Sequence, residues 1–341
     1  MPVLTPIAQT LSPEEHEETY VHTVYNTIAP HFSQTRYKPW PLIATFLASL
    51  QPGSIGLDSG TGNGKYLPIN QDGKLYTVGL DRSSKLLEIA KSAGGEHRDV
   101  VLGDALGLGW RRGAFDYAIS IATIHHLSTL ERRRLAVEAL LHALSPKHGR
   151  LLLYVWAIEQ DDASKRVVPT LDSHSTSPGE AEGDMAEEKA QDVLVPWVLP
   201  TQSSAAGEAT SPAKRKSREK ARKQATDEPQ APTSTEPEVA SETMLDPPPH
   251  STDVPSPNQI YQRYYHFFAP GELSSLTLSA ARSLNLSVGP PPAPESYPTA
   301  RGTLVREGVE RGIEVVNQGW ERSNYYLEAR LWEVVVNGSS S

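Results

Sequence analysis

A chain of 341 residues with 38 % hydrophobic residues and 28 prolines is too poor in apolar side chains to fold throughout, and reads as one large domain plus unstructured segments. It has no cysteine, which excludes a disulfide framework and thiolate metal sites. The formal net charge of −9 argues against nucleic acid until it is located: residues 157–256 hold 19 acidic and 10 basic side chains, so the rest is neutral and leaves room for a basic face.

The first residues show neither a basic nor an apolar leader region, and no apolar run reaches membrane-spanning length. A protein of the cytoplasm is expected, with no membrane partner. "PEEHEETYVHTVYNTIAPHF" predicts an amphipathic helix: Tyr20, Val21, Val24, Tyr25 and Ile28 share one face, acids fill the first turn, and Pro30 follows its end. A second helix covers 41–50. Short apolar runs then alternate with helical patterns. Strands are expected at 54–58, 75–81, 99–105, 115–121 and 149–157, with a short helix after the first and further helices at 83–93 and 129–144. This alternation implies parallel pairing.

Residues 158–256 break the rhythm. They are rich in Ser, Thr, Pro, Ala and Glu and cannot bury enough apolar surface to order themselves. Two islands stand out: "QDVLVPWVLP" (191–200), which is expected to dock on the domain, and "KRKSREKARK" (214–223) with seven bases. The basic run reads as a phosphate tether or as a nuclear-localisation signal, which leaves a nuclear location open. The folded pattern resumes with a strand or loop at 261–268, a helix, and a closing hairpin over 312–336. The expected domain parts are 14–157 and 257–335.

The stretch "GLDSGTGNGKYL" (56–67) decides the ligand class. A dinucleotide loop reads G-x-G-x-x-G, and a Walker loop needs Gly-Lys-Ser/Thr, where Tyr66 stands here. Instead Gly60, Gly62 and Gly64 alternate after the strand-end acid Asp58. That acid suits a ligand carrying a cation, as S-adenosylmethionine does, and the glycines let backbone approach it closely. Asp81 ends the second strand, where an acid binds ribose hydroxyls, and Asp104 follows the third, placed for an adenine amino group. Arg82, Ala105 and Ile121 complete the expected cofactor set. Together they predict a class I methyltransferase: an α/β fold with a doubly wound, mostly parallel seven-stranded sheet, N-terminal helices and a long disordered insertion. A nicotinamide enzyme is the rival.

The substrate motifs lie elsewhere. "YVHTVYNTIAPHFSQTRYKPWP", "AISIATIHHLSTLERR", "YVWAIEQ", "QDVLVPWVLP", "YQRYYHFF" and "GWERSNYYLEA" occur in this order. The set resembles the yeast-type tRNA wobble-uridine methyltransferases, which are similar to the methyltransferase domain of animal AlkB-homologue-8 proteins. The resemblance covers roughly 14–160 and 257–335 plus the 191–200 island. It implies esterification of the carboxylate of 5-carboxymethyluridine in the tRNA anticodon loop, and a small zinc-binding activator protein as partner. Thr61 stands where the family has Cys, a small change that keeps the loop.

A carboxylate is already a nucleophile, so the task is positioning rather than base catalysis. Arg36 is the first candidate to hold it, or else ties the N-terminal helices to the sheet. His126, chosen over His125 on the family pattern, is expected at the methyl-transfer position, with His125 on the substrate or structural. Neither has an obvious metal-binding companion, so no metal is expected. "RYYHF" supplies Arg263, Tyr264, Tyr265 and His266 as a platform for an extruded base, with Tyr264 placed among the catalytic residues; some of this set are expected in the core. Tyr25 and Trp156 join the substrate set, and Arg132 and Arg133 either contact phosphates or form a solvated helix face. The activator is expected along residues 99–106, because the third strand of this fold class is a sheet edge. The rival functions are a small-molecule carboxyl or oxygen methyltransferase and a non-catalytic tRNA-binding scaffold.

Overall fold

The computed structural model describes residues 4–6, 10–36, 38–69, 73–162, 164, 166–170, 189–200, 259–293 and 306–338. The basic run 214–223 lies outside the described residues, as does most of the expected insertion.

The chain enters through β1 (Thr5–Pro6) and one long helical stretch made of α1 (Pro13–Glu17), a π-helical turn (Glu18–His22) and α2 (Thr23–Thr35). A capping box opens it: the Ser12 hydroxyl accepts from the Glu15 backbone, and Glu15 accepts from the Ser12 backbone. The helix does not stop at Pro30 as expected; it runs on to Thr35. Proline removes one helical N–H and normally breaks a helix. Here Ile28 and Ala29 are fully buried just before it, so tertiary packing overrides local preference. α3 (Pro41–Ala48) follows.

The central strands are β2 (Ser54–Ser59), β3 (Leu75–Asp81), β4 (Val100–Leu102), β5 (Tyr117–Ile121) and β6 (Arg150–Trp156), with α4 (Ser84–Ala90) after β3 and α5 (Leu130–Ala143) after β5. They pair in parallel in the order β4-β3-β2-β5-β6. The chain moves outward from β2 to β4 and then returns to β5 on the other side of β2. That reversal opens a crevice at the carboxyl ends of β2 and β5. The expected short helix after β2 is instead a run of turns, held by bonds such as Leu67 N–H to the Gly64 carbonyl at 3.0 Å.

Two more sequence elements take up the sheet's far side. β10 (Arg306–Glu321) and β11 (Asn324–Gly338) form the closing hairpin, and β11 pairs antiparallel with β6. A two-residue β9 (Ser287–Val288) makes the sheet eight-stranded rather than seven-stranded. α6 (Glu272–Ser283) packs with α5 on one face, around Val137, Leu140, Leu276 and Ala280. On the other face Ile43 and Phe46 of α3 meet Tyr117, Ile119 and Tyr154.

A second, three-stranded sheet was not anticipated. It joins β1, β7 (Asp192–Leu199) and β8 (Gln259–His266). The apolar island 191–200 is thus a strand, with Val193 and Val195 buried against Tyr265 and Phe267. Among the described residues no helix is long and apolar enough to cross a membrane.

Candidate active site

The glycine loop leaves β2 at Asp58, and its conformation depends on glycine. Gly60, Gly62 and Gly64 have φ of +82°, +59° and +75°, values that side chains disfavour. The Gly60 and Thr61 backbone N–H groups both bond to the Leu80 carbonyl, at 2.8 and 2.9 Å. A Cβ on Gly60 would lie 2.1 Å from the Thr123 hydroxyl, and one on Gly64 would lie 2.9 Å from Ala90. These two glycines therefore allow two close backbone approaches. Gly62 has nothing within 4 Å, and it faces the crevice.

The strand-end acids are placed unequally. Asp58 is 1 % exposed. Its Oδ2 accepts from the Thr61 hydroxyl at 2.7 Å, whereas Oδ1 is buried without a partner. Burial pushes its carboxyl up to about 7, with nearby Asp81 acting in the same direction. Asp81 accepts from the Gly62 N–H and the Ser83 N–H, each at 2.8 Å, and burial raises its carboxyl despite those bonds. Asp104 pairs with Arg82 at 2.5 Å, and Arg82 also reaches Glu18 on the N-terminal helix at 3.5 Å.

Beyond the loop lies a cavity of about 200 Å³. Asp81, Arg82, Asp104, Ala105 and Ile121 line it, as do Gly60 and Gly62. So do Tyr25, Arg36, His125, His126, Trp156, Arg263 and Tyr265. Cofactor and substrate candidates from seven separate stretches thus share one space.

The floor of the cavity is a directed hydrogen-bond chain. His126 Nδ1 bonds the Tyr264 backbone carbonyl at 2.8 Å, so Nδ1 carries the proton. Burial pulls this imidazole down to about 3, so Nε2 is a bare acceptor. Tyr25 lies 3.0 Å from it and must donate. The Tyr25 oxygen then accepts from the Tyr265 hydroxyl at 3.0 Å, and the Tyr265 oxygen accepts from Arg263 at 2.8 Å. Both His126 nitrogens are engaged in this scaffold, contrary to the catalytic role expected for it.

Several expected site residues stand outside the cavity. β8 alternates: Arg263 and Tyr265 face the cavity, so Tyr264 and His266 point the other way. The Tyr264 hydroxyl bonds Asp192, and His266 sits between Asp192 at 3.0 Å and Glu272 at 2.7 Å. These two hold the β7–β8 edge. Arg132 grips buried Glu17 through two bonds of 2.7 and 2.8 Å and pairs with Glu14, which ties the N-terminal helix to α5. Arg133 is 5 % exposed and donates to the Leu127 carbonyl. Neither is placed for phosphate. Gly64 and Asp58 support the loop from behind the lining.

Trp156 is also less free than expected. Tyr265 stacks on it at 4.0 Å and 9°, and the Arg166 guanidinium lies 3.7 Å over the same ring. Two groups this close cannot share one face, so both faces are covered. Arg166 falls in the low-complexity stretch and offered no signal. Lys65 and Trp40 also line the cavity, with Lys65 4.7 Å above the Trp40 ring and pulled down to about 8 by burial. Their signal lay within the quoted motifs "GNGK" and "KPW".

The residues fit a donor that carries a cation. The open space at Gly62 would take the methionine end, with the buried Asp58 charge close behind the loop, Asp81 the ribose, and Asp104 with Ala105 the adenine. The fold and this crevice define a class I methyltransferase whose methyl donor is S-adenosylmethionine.

Comparison with known proteins narrows the class. Residues 57–152 match the family model described as "Methyltransferase domain". The chain is 36 % identical over 270 residues to tRNA (carboxymethyluridine(34)-5-O)-methyltransferase of Schizosaccharomyces pombe, covering 79 % of this chain and 91 % of that protein. It is 46 % identical over 209 residues to the Saccharomyces cerevisiae protein of the same name, covering 60 % and 66 %. It is 38 % identical over 277 residues to the Xenopus tropicalis protein of that name designated alkbh8, covering 76 % of this chain and 37 % of that longer protein. The chain belongs to the tRNA (carboxymethyluridine(34)-5-O)-methyltransferase family.

Proposed function

We propose that this chain transfers the methyl group of S-adenosylmethionine to the carboxylate of 5-carboxymethyluridine at position 34 of tRNA, in the cytoplasm. The observation that carries the reading is a set of cations that no carboxylate bonds directly. Arg36, Lys65 and Arg263 line the cavity, and Arg166 covers Trp156 beside it. Among the described residues no carboxylate forms an ion pair with any of the four. Arg263 is 5 % exposed, and a buried cation left unpaired is costly. Such a cluster suits an anionic acceptor and the phosphates that flank it. Tyr25, Trp40 and Tyr265 supply aromatic walls of the kind an unstacked base needs.

The carboxylate oxygen attacks the methyl carbon, and the carbon–sulfur bond breaks with its electron pair kept on sulfur. No proton moves. The protein's contribution is to orient the carboxylate and to exclude water. A small-molecule acceptor is the competing reading. Carboxymethyluridine-containing tRNA should be methylated while free aryl and alkyl carboxylic acids at millimolar levels are not; the reverse preference would defeat the proposal.

We further propose a small activator protein that pairs along β4. This strand lies at the sheet edge, with β3 as its neighbour, and Val101 and Leu102 are 40 % and 63 % exposed. An open apolar edge invites strand addition. Leu102→Pro removes one N–H on the free edge, since residues 99, 101 and 103 turn theirs toward β3, and should abolish co-purification with the activator while donor binding persists. An intact complex with a normally folded variant would contradict it.

A further inference from the structure

His125 and His126 are neighbours in one 3₁₀ turn, Ile124–His126, yet they end in opposite hydrogen-bonding states. His126 has both nitrogens engaged. His125 has one. The Trp156 backbone N–H donates to its Nδ1 at 3.1 Å. A ring nitrogen that accepts carries no proton, so the proton of the neutral ring sits on Nε2. That Nε2 is buried without a partner, in a residue that is 0 % exposed and lines the cavity. Burial holds the ring well below the ordinary histidine range, and His126, Arg166, His266 and Arg263 all act in the same direction. His125 is thus fixed as a neutral, single N–H donor.

An unpartnered buried N–H is unfavourable, and a donor-only group requires an acceptor. His125 lies two residues beyond Thr123, whose side chain touches Gly60 and its loop. This is the end of the cavity where the methyl group must be delivered. The acceptor atom nearest that point is the carboxylate oxygen, because the uracil ring lies one carbon further away along the carboxymethyl arm.

We infer that His125 holds the carboxylate of the substrate through its Nε2–H. The inference rests on the reading of the site given above. A neutral donor suits the chemistry better than a guanidinium. Arg grips a carboxylate bidentately and occupies both oxygens. One neutral N–H fixes one oxygen and leaves the other free to attack. The surrounding arginines then supply long-range attraction and phosphate contacts without contacting the nucleophile directly.

The test uses the full chain with its activator, and two tRNAs that carry either 5-carboxymethyluridine or uridine at position 34. His125→Phe keeps the ring volume and removes the donor; His125→Gln restores an N–H near the same place. His125→Phe should lower kcat/KM by on the order of 100-fold, as removal of one positioned donor does, and His125→Gln should recover most of that loss. Affinity for carboxymethyluridine tRNA should fall in His125→Phe, while affinity for uridine tRNA and for S-adenosylhomocysteine stays unchanged. At saturating donor, wild-type turnover should show no histidine ionisation between about pH 6 and 8. Equal weakening of both tRNAs, a His125→Gln variant no better than His125→Phe, or a histidine step in the profile would overturn the inference. A wild-type protein inactive on carboxymethyluridine would overturn the functional reading itself.

Discussion

Gly60→Ala should lower donor affinity by on the order of 100-fold in an otherwise folded protein. Two effects act on one atom. The backbone at φ +82° costs a side chain about 1–2 kcal/mol. The new methyl group would also lie 2.1–2.6 Å from three Thr123 side-chain atoms. Thr123 cannot yield freely, because it follows Ala122, itself held at φ +56°, and its hydroxyl bonds the Gly60 and Ile121 carbonyls at 3.3 and 3.2 Å. The clash therefore displaces both walls of the crevice together. The combined loss should reach about 3 kcal/mol, or on the order of 100-fold in donor affinity. Gly62→Ala is the comparison. It shares the backbone penalty but meets no atom within 4 Å, so its denaturation midpoint should fall less. Calorimetric titration with S-adenosylhomocysteine and thermal melts of both variants check this. Equal melting of the two would show that the Thr123 contact is unimportant.

Asp58→Asn should weaken donor binding by roughly 10- to 100-fold, because it removes a negative charge held in a buried site close behind the loop. The wild-type affinity should also depend on pH in a defined sense. With its carboxyl pushed up to about 7, Asp58 is largely protonated below that pH when no ligand is present. A cationic ligand needs the carboxylate, so binding below pH 7 must first release a proton. Affinity should fall as pH drops, approaching tenfold per unit, and level off above about 7. The stability of the ligand-free protein runs the other way. The folded state holds the Asp58 proton more tightly than the unfolded chain does, so this group's contribution shrinks as pH rises from about 4 to 7. Asp58→Asn should flatten both dependences. A wild-type affinity that rises toward acid pH would mean that the Asp58 charge does not attract the donor's cation.

The sequence was most readable where backbone and ligand make the same demand. The alternating glycines, the acids at three strand ends and the strand–helix rhythm each follow from local rules, and the structure gathers them around one crevice. Readability failed where tertiary packing decides. Pro30 was read as a stop, because its local cost is visible and the burial of Ile28 and Ala29 is not. The residues of "RYYHF" form one motif in sequence, but strand alternation sends Arg263 and Tyr265 to the cavity and Tyr264 and His266 away from it. Composition alone gave no reason to place Arg166 over Trp156, since the residues around it look like linker. The two histidines show the same limit. Nothing in "IHH" distinguishes a ring whose nitrogens are both bonded from one with a free N–H; the Trp156 and Tyr264 backbones do.

The central claim is that the acceptor is the carboxylate of a wobble carboxymethyluridine. The most direct measurement supplies S-adenosylmethionine with a labelled methyl group to this protein together with the proposed activator, using tRNA from cells that lack the esterifying activity. The tRNA is then digested and its nucleosides separated. The account predicts label in 5-methoxycarbonylmethyluridine alone, removed by mild alkali as an ester must be. Label in another nucleoside, or a carboxymethyluridine peak left unchanged while the donor is consumed, would contradict it.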